Sequence, residues 1–186
     1  MLRIEISLKD DQPDARGSGL VKDIHDLGIS TVTDVRVVDI YWFDGNLRTA
    51  DLESVGRKLL ADPVTQDYRY ATDSETLSFT GLPSGKAQPR VVEVAYNPGV
   101  TDPVEETVMK AIRDMGIAGV QAVKTARRYL IQGHLTESQL DVMCSRLLVN
   151  PIIQHVVTDE HFTFPKNPQY QFKLNQISIL GLDIAQ

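Results

Sequence analysis

Four histidines and one cysteine are the residue types in this chain best suited to acid–base, nucleophilic or metal chemistry. The histidines do not follow a metal-binding spacing such as H-x-x-x-H or H-E-x-x-H. Cys144 lies beside Met143 and Leu147 on the apolar face of a helical pattern. We therefore interpret the thiol as buried and inert, and the histidines as structural or exposed to solvent. The histidines are His25, His134, His155 and His161.

Two further motifs could bind an anion. Gly17-Ser18-Gly19 lacks both the third glycine of G-x-G-x-x-G and the lysine of a P-loop, so it favours a flexible loop or a closely packed helix start. Arg127-Arg128 and Arg146 could meet an anion, but adjacent arginines on a strand are more often solvated or ion-paired.

The remaining candidates have structural explanations. Asp14 and Asp102 are suited to capping the N-termini of two helices. Tyr41-Trp42-Phe43 favours core packing, with a partner-facing patch as the alternative. The sequence contains no nucleophile–base pattern, so we expect no catalytic residues, no cofactor and no metal site, and an independent enzyme is the weakest hypothesis.

The organisation of the chain is more informative than any single motif, because residues 3–70 align without a gap on residues 91–158. At this offset of 88 positions Glu5 meets Glu93, Tyr41 meets Tyr129, and the segment 59–63 (LLADP) meets 147–151 (LLVNP). A small module that is duplicated within one chain usually functions through the pairing of its two copies. The repeat therefore favours a scaffold or binding role over a catalytic one.

Each copy predicts the element order β-α-β-β-α-β, an α+β fold of the split βαβ type. In the first copy we expect strands at 2–8, 33–38, 40–43 and 64–70, with helices at 14–27 and 50–60. In the second copy we expect a strand at 91–96, a helix from Asp102 to Gly116, strands at 120–124 and 127–132, a helix capped by Thr136, and a strand within 152–162. Two such modules could cover each other's open sheet faces or pair their edge strands.

We divide the chain into module 1 (residues 1–80), a linker (81–89), module 2 (90–164) and a C-terminal extension (165–186) that could hold one more strand. Its 186 residues are enough for two modules under about 90 residues each, whose thin cores would benefit from packing together. The net charge of −6 argues against a nucleic-acid partner, and no apolar run is long enough for a membrane helix. A single cysteine suits a reducing cytoplasm.

The second copy resembles the PurS subunit of phosphoribosylformylglycinamidine synthase, the FGAR amidotransferase complex. The resemblance rests on segments 91–94 (VVEV), 98–103 (PGVTDP), 112–117 (IRDMGI) and 144–153 (CSRLLVNPII), in that order and spacing. The glycine that the family has at the first helix start is present in the first copy, as Gly17, and absent from the second.

The resemblance implies two tandem PurS-like modules packed as a pseudo-dimer. It also implies a non-catalytic scaffold that bridges the glutaminase subunit to the ATP-dependent synthetase subunit and supports ammonia channelling in purine biosynthesis. On this interpretation the partners are those two subunits, and self-association into a homo-oligomer stays open. Covalent linkage would raise the effective concentration of one module near the other to about millimolar.

The alternative from another class is a regulatory domain of the ACT type. Tandem βαββαβ modules of that type bind amino acids between the copies. In this reading, glycine-rich turns such as Gly17-Ser18-Gly19 would contact the ligand.

Overall fold

The computed structural model describes residues 2–71 and 88–158 together with Leu174. His161, most of the linker and the strand expected in the C-terminal extension lie outside the described residues.

Both modules have the same succession of elements. Module 1 comprises β1 (Leu2–Leu8), α1 (Ala15–Asp26), β2 (Val32–Gly45), α2 (Thr49–Val55) and β3 (Gln66–Ala71). Module 2 comprises β4 (Arg90–Tyr96), α3 (Glu105–Asp114), β5 (Val120–Gly133), α4 (Glu137–Met143) and β6 (Gln154–Val156). A π-helical turn continues α2 through Gly56–Leu60 and α4 through Cys144–Leu148. The predicted α+β class with two tandem copies is confirmed.

The break predicted within the middle of each module is wrong. The strands expected at 33–38 and 40–43 form the single 14-residue strand β2, and those expected at 120–124 and 127–132 form the 14-residue strand β5. The βαββαβ order is recovered when the two halves of each long strand are counted separately. The predicted breaks lie near the centre of each long strand, at Asp39 in β2 and at residues 125–126 in β5.

The modules join edge to edge rather than face to face. Six antiparallel strands form one sheet in the order β3-β1-β2-β5-β4-β6. The long strands β2 and β5 pair along almost their whole length, from Val32 opposite Gly133 to Gly45 opposite Val120. Of the two arrangements open from the sequence, edge pairing is therefore the one that occurs.

Helices of different modules share hydrophobic cores on one face of this sheet. One cluster combines Ile24 of α1 with Met143 of α4, and a second combines Leu52 of α2 with Ile112 of α3. A third cluster, which includes Val38, Ile40 and Leu130, lies on the opposite face of the sheet. Its residues alternate along the strands with those of the first two clusters. Because every main cluster contains residues from both modules, burial of apolar surface couples the modules into one folding unit.

The first helices of the two modules begin differently. Asp14 is the N-cap of α1, and its carboxylate accepts a hydrogen bond from the backbone N–H of Gly17 at 2.9 Å. The prediction that Asp102 caps α3 is wrong, because α3 begins at Glu105 after Val104. Asp102 instead accepts a hydrogen bond from the Val104 N–H at 2.9 Å in the turn that leads into the helix.

Gly17 lies where α1 meets the long strand of its module. A Cβ atom at this position would lie 1.9 Å from the carbonyl oxygen of Val35, whereas one at Gly19 would meet nothing within 4 Å. The close backbone approach expected from the glycines is therefore confirmed for Gly17. The interpretation of Gly17-Ser18-Gly19 as a ligand-binding turn is wrong, because all three residues lie inside α1.

Candidate functional site: the junction between the two modules

The sheet has a pseudo-twofold axis between Asp39 of β2 and Arg127 of β5. These residues face each other in the strand register, and they also occupy equivalent positions in the sequence repeat. Asp39 is half-buried and Arg127 is exposed. The duplication has therefore placed opposite charges at the one position where a dimer of identical modules would place two identical residues.

On the helix face of the sheet, three charged side chains meet at this axis. Arg16 of α1 donates to both carboxylate oxygens of Asp39, at 3.0 and 2.9 Å. Arg127 approaches the same carboxylate more loosely, with its Nε 3.5 Å from Oδ1. Burial lowers the pKa of Arg127, but the neighbouring Tyr129 and Asp39 outweigh it, so the net shift is upward and the guanidinium stays charged.

On the opposite face, the axis is crossed by a buried ion network. Arg128 donates to Glu5 of module 1 at 2.6 Å and to Glu93 of module 2 at 2.6 and 3.0 Å. Glu5 also pairs with Arg3, whose guanidinium carbon lies 4.9 Å from the centre of the Trp42 ring. Burial lowers the pKa of Arg3. One arginine, present in only one copy, thus joins the two copies of the same glutamate across the module boundary.

The arginines singled out in the sequence have separate surroundings. Arg127 and Arg128 project to opposite sheet faces and are ion-paired at the axis, as expected for adjacent residues on a strand. Arg146 is exposed on the π-helical turn that follows α4, so the structure does not bring it to the junction. Arg16 and Asp39 were not predicted as site residues from the sequence. Their signal was present, because the repeat aligns Asp39 with a residue of opposite charge.

The aromatic run of β2 forms core rather than a partner-facing patch. Phe43 is fully buried on the helix face and Trp42 is buried on the other. Tyr41 is half-buried beside the axis, and burial raises the pKa of its hydroxyl, with further contributions from Asp39 and Asp102.

The histidines within the described residues have structural surroundings or are exposed. The Nε2 of His25 lies 2.8 Å from the carbonyl oxygen of Val32, and the Nδ1 of His155 lies 3.0 Å from the side-chain oxygen of Asn97. His134 is exposed. Cys144 is partly buried against the first hydrophobic cluster, and burial together with Asp141 raises the pKa of its thiol, which opposes formation of a thiolate.

Asp14 and Asp102 have a common role that sequence did not predict. Each ties the segment after its module's first strand to the long central strand. Asp14 accepts from the N–H of Val37 at 3.1 Å, and Asp102 accepts from the N–H and the hydroxyl of Thr125 at 2.7 and 2.8 Å. These bonds fix the first helix of each module over the central pair of strands.

The grooves beside these two aspartates are equivalent in position but differ in size and chemistry. The groove of module 1 has a volume of about 70 Å³, and Arg36 pairs there with Asp10 at 2.8 Å. The groove of module 2 has a volume of about 340 Å³, and Lys124 pairs there with Glu105. The duplicated chain therefore presents two related surfaces that are not identical.

Each module also presents an exposed apolar side chain on a hydrogen-bonded turn at the outer end of the sheet. Val64 is 73% exposed and its equivalent Ile152 is 84% exposed. In module 1, the Asp62 carboxylate accepts from the N–H groups of Val64 and Thr65, at 2.8 and 2.9 Å. These hydrogen bonds lower the pKa of Asp62. In module 2, Asn150 accepts from the N–H of Ile152 at 3.2 Å, so both turns are built alike.

Two such modules, joined through their central strands into one sheet, define a tandem pseudo-dimer of α+β modules. The family model of PurS, described as phosphoribosylformylglycinamidine (FGAM) synthase, matches residues 1–74 and 90–160. The chain belongs to this family and carries two copies of its module.

A curated relative agrees with this assignment. The phosphoribosylformylglycinamidine synthase subunit PurS of Archaeoglobus fulgidus is 34% identical over 68 residues, which cover 85% of that protein and 34% of this chain. This coverage is what two copies in one chain would give, because one module accounts for nearly all of the relative.

Within the described part of the chain, no group of three or more His, Cys, Asp or Glu side chains could hold a metal ion. None of the helices in the described ranges is long and apolar enough to cross a membrane.

Proposed function

We propose that this protein is the non-catalytic scaffold subunit of phosphoribosylformylglycinamidine synthase, and that it bridges a glutaminase subunit and an ATP-dependent synthetase subunit. Membership of the PurS family supports a role in purine biosynthesis. The observation that carries the scaffold role is the sheet that the two modules share, because the pairing of β2 with β5 joins the modules into one continuous sheet.

The differences between the modules support the bridging of two unlike partners. A dimer of identical modules has two identical binding surfaces, whereas here the equivalent grooves are lined by Arg36 and Asp10 in one module and by Lys124 and Glu105 in the other. Fusion of the modules allows each surface to be suited to its own partner. Hydrogen bonds to Asp62 and Asn150 hold the backbone of the exposed tips at Val64 and Ile152, which would lower the conformational entropy cost of docking there.

In the complete enzyme, ammonia released at the glutaminase site has to reach the synthetase without escaping. The scaffold serves this transfer by holding the two partners in one relative position. The chain acts in the cytoplasm, and its own side chains take no part in bond making or breaking.

The proposal is tested by co-purification. The intact chain is mixed with the glutaminase and synthetase subunits of its source organism, and complexes are separated by size-exclusion chromatography. We expect one complex that contains all three proteins, and a two-protein mixture without this chain that does not assemble. Glutaminase or ATPase turnover by the purified chain alone would contradict the non-catalytic role.

The turn tips provide a matched pair of variants for the same experiment. Val64→Asp and Ile152→Asp each place a charge on an exposed site, so the fold should tolerate both. We expect each variant to weaken the binding of a different partner. Loss of neither partner, with the folded structure intact, would exclude the tips as the docking elements.

A further inference from the structure

An open cleft lies at the pseudo-twofold axis, on the helix face of the sheet. Its volume is about 290 Å³, and its floor is the junction of β2 and β5. Its polar lining comes from both modules and includes Arg16, Asp39, Tyr41, Arg127, Tyr129 and Gln154. The apolar part of the wall includes Val94 and Val104.

The charges of the cleft arise where the two copies have diverged. Asp39 is equivalent to Arg127, and Arg16 is equivalent to Val104. Two guanidinium groups therefore share one carboxylate, which leaves the cleft with one excess positive charge. Arg16 binds Asp39 at 2.9 Å through an end-on nitrogen, while Arg127 reaches it only through Nε at 3.5 Å. The side chain of Arg127 is 54% exposed, so it can meet a ligand in the cleft in addition to its interactions with Asp39 and Tyr129.

The neutral groups of the lining add donors next to this charge. The raised pKa of Tyr41 keeps its hydroxyl protonated, so it can donate a hydrogen bond. The side-chain oxygen of Gln154 accepts from the N–H of Asn150 at 3.1 Å, which leaves its amide nitrogen as a donor. The cleft thus combines several donors with the single charged acceptor Asp39.

We propose that this cleft binds a free α-amino acid. The carboxylate of the ligand pairs with Arg127, its ammonium group pairs with Asp39, and its side chain lies against Val94 and Val104. A cleft that holds both signs of charge offers a partner to each charged group of a zwitterion, whereas a phosphate dianion would pair with the guanidinium groups alone and gain nothing from Asp39. The volume of about 290 Å³ lies just below the roughly 300–1,000 Å³ of drug-sized ligand sites, which suits an amino acid better than a nucleotide.

This site differs from the glycine-rich turn of the ACT-type alternative, since it does not use Gly17-Ser18-Gly19. It also goes beyond the scaffold role, because a ligand at the axis contacts both modules at once. A ligand that binds there stabilises the paired form by mass action.

The test is isothermal titration of the intact chain with glycine, L-alanine and L-glutamine. Propionate and ethylamine, which lack the ammonium and the carboxylate respectively, are titrated in parallel with inorganic phosphate. We expect saturable binding of at least one amino acid and at least tenfold weaker binding of the three other probes, as loss of a charged hydrogen bond costs about 1.5–3 kcal/mol. Equal binding of propionate or phosphate, or no binding of any amino acid, would overturn the proposal.

Variants locate the site. Arg127→Gln removes the carboxylate partner and should weaken binding at least tenfold, whereas Arg113→Gln, on the exposed surface of α3, should leave it unchanged. Val104→Arg introduces the residue that the other copy carries at the equivalent position, and should block the cleft without strain in the backbone. Melting curves confirm that each variant is folded. Unchanged affinity in both Arg127→Gln and Val104→Arg would exclude the cleft as the site.

Discussion

Arg127 lies opposite Asp39 in the central strand pair, and the two residues are also each other's counterparts in the sequence repeat. By the same register, a dimer of two module-1 copies would place Asp39 beside Asp39, and a dimer of two module-2 copies would place Arg127 beside Arg127. Like charges directly opposite each other destabilise a strand pair, so this position favours pairing between unlike modules.

Charge reversal at the axis tests this relationship. We expect Arg127→Asp to lower the free energy of unfolding by about 1 kcal/mol, because it places two carboxylates side by side on a partly exposed surface. Urea denaturation followed by circular dichroism measures the loss. In the Asp39→Asn background the same substitution should cost clearly less, and an equal loss in both backgrounds would show that the two residues do not interact.

Arg128, the buried arginine on the other face of the sheet, should contribute more to the free energy of unfolding than Arg127 does. Removal of Arg128 leaves the carboxylates of Glu5 and Glu93 without the cation that joins them, so we expect Arg128→Gln to cost about 3–5 kcal/mol. The exposed neighbour provides the control, since Arg127→Gln should cost at most about 1 kcal/mol. The urea midpoints of the two variants give the comparison. Similar midpoints would mean that the network across the module boundary contributes no more than a surface pair.

Two glycines of α1 should respond in opposite directions to the same substitution. Alanine favours a helix interior over glycine by about 1 kcal/mol. We expect Gly19→Ala to raise the stability by about that amount, because its new methyl group would meet nothing within 4 Å. We expect Gly17→Ala to lower the stability, since the Cβ would lie 1.9 Å from the Val35 carbonyl oxygen. The melting temperatures of the two variants and of the parent protein test both expectations. A Gly17→Ala variant more stable than the parent would contradict the close approach of α1 to β2.

The turn at Asp62 gives a pH dependence with a defined sign. Two backbone N–H groups bind its carboxylate and lower its pKa from the ordinary value of 3.8. A lowered pKa in the folded state stabilises the protein at neutral pH, and this contribution is lost as the pH falls through the folded-state pKa. We expect Asp62→Asn to melt below the parent protein at pH 7 and to match it near pH 2. If the difference in melting temperature between the two proteins is the same at both pH values, the charge of Asp62 is not its cause.

Much of the fold follows from the sequence, and the exceptions have physical causes. Helix α4 begins after Thr136 as expected, because the Thr136 hydroxyl and the Gln139 side chain satisfy each other's backbone N–H groups at the helix start. The predicted start of α3 is too early, because the hydrogen bonds that Asp102 accepts from Thr125 depend on a strand 23 residues away. A local pattern cannot reveal such a tertiary contact.

The junction was harder to predict than the modules. Alternation of apolar and polar residues identifies the faces of β2 and β5 but not their mutual register. The register of β2 against β5 determines that Asp39 lies opposite Arg127 and that Arg128 reaches Glu5. The equivalence of Glu5 and Glu93 was visible in the repeat, yet the cation between them comes from a position that the other copy fills with Ile40.

We propose that this chain is needed for the use of glutamine but not for the synthetase chemistry. The most direct measurement is amidine formation by reconstituted glutaminase and synthetase subunits, with glutamine or with ammonia as the nitrogen donor, in the presence and absence of the intact chain. We expect the chain to be required with glutamine and dispensable with ammonia. Equal dependence on the chain with both donors, or no dependence with glutamine, would contradict the account.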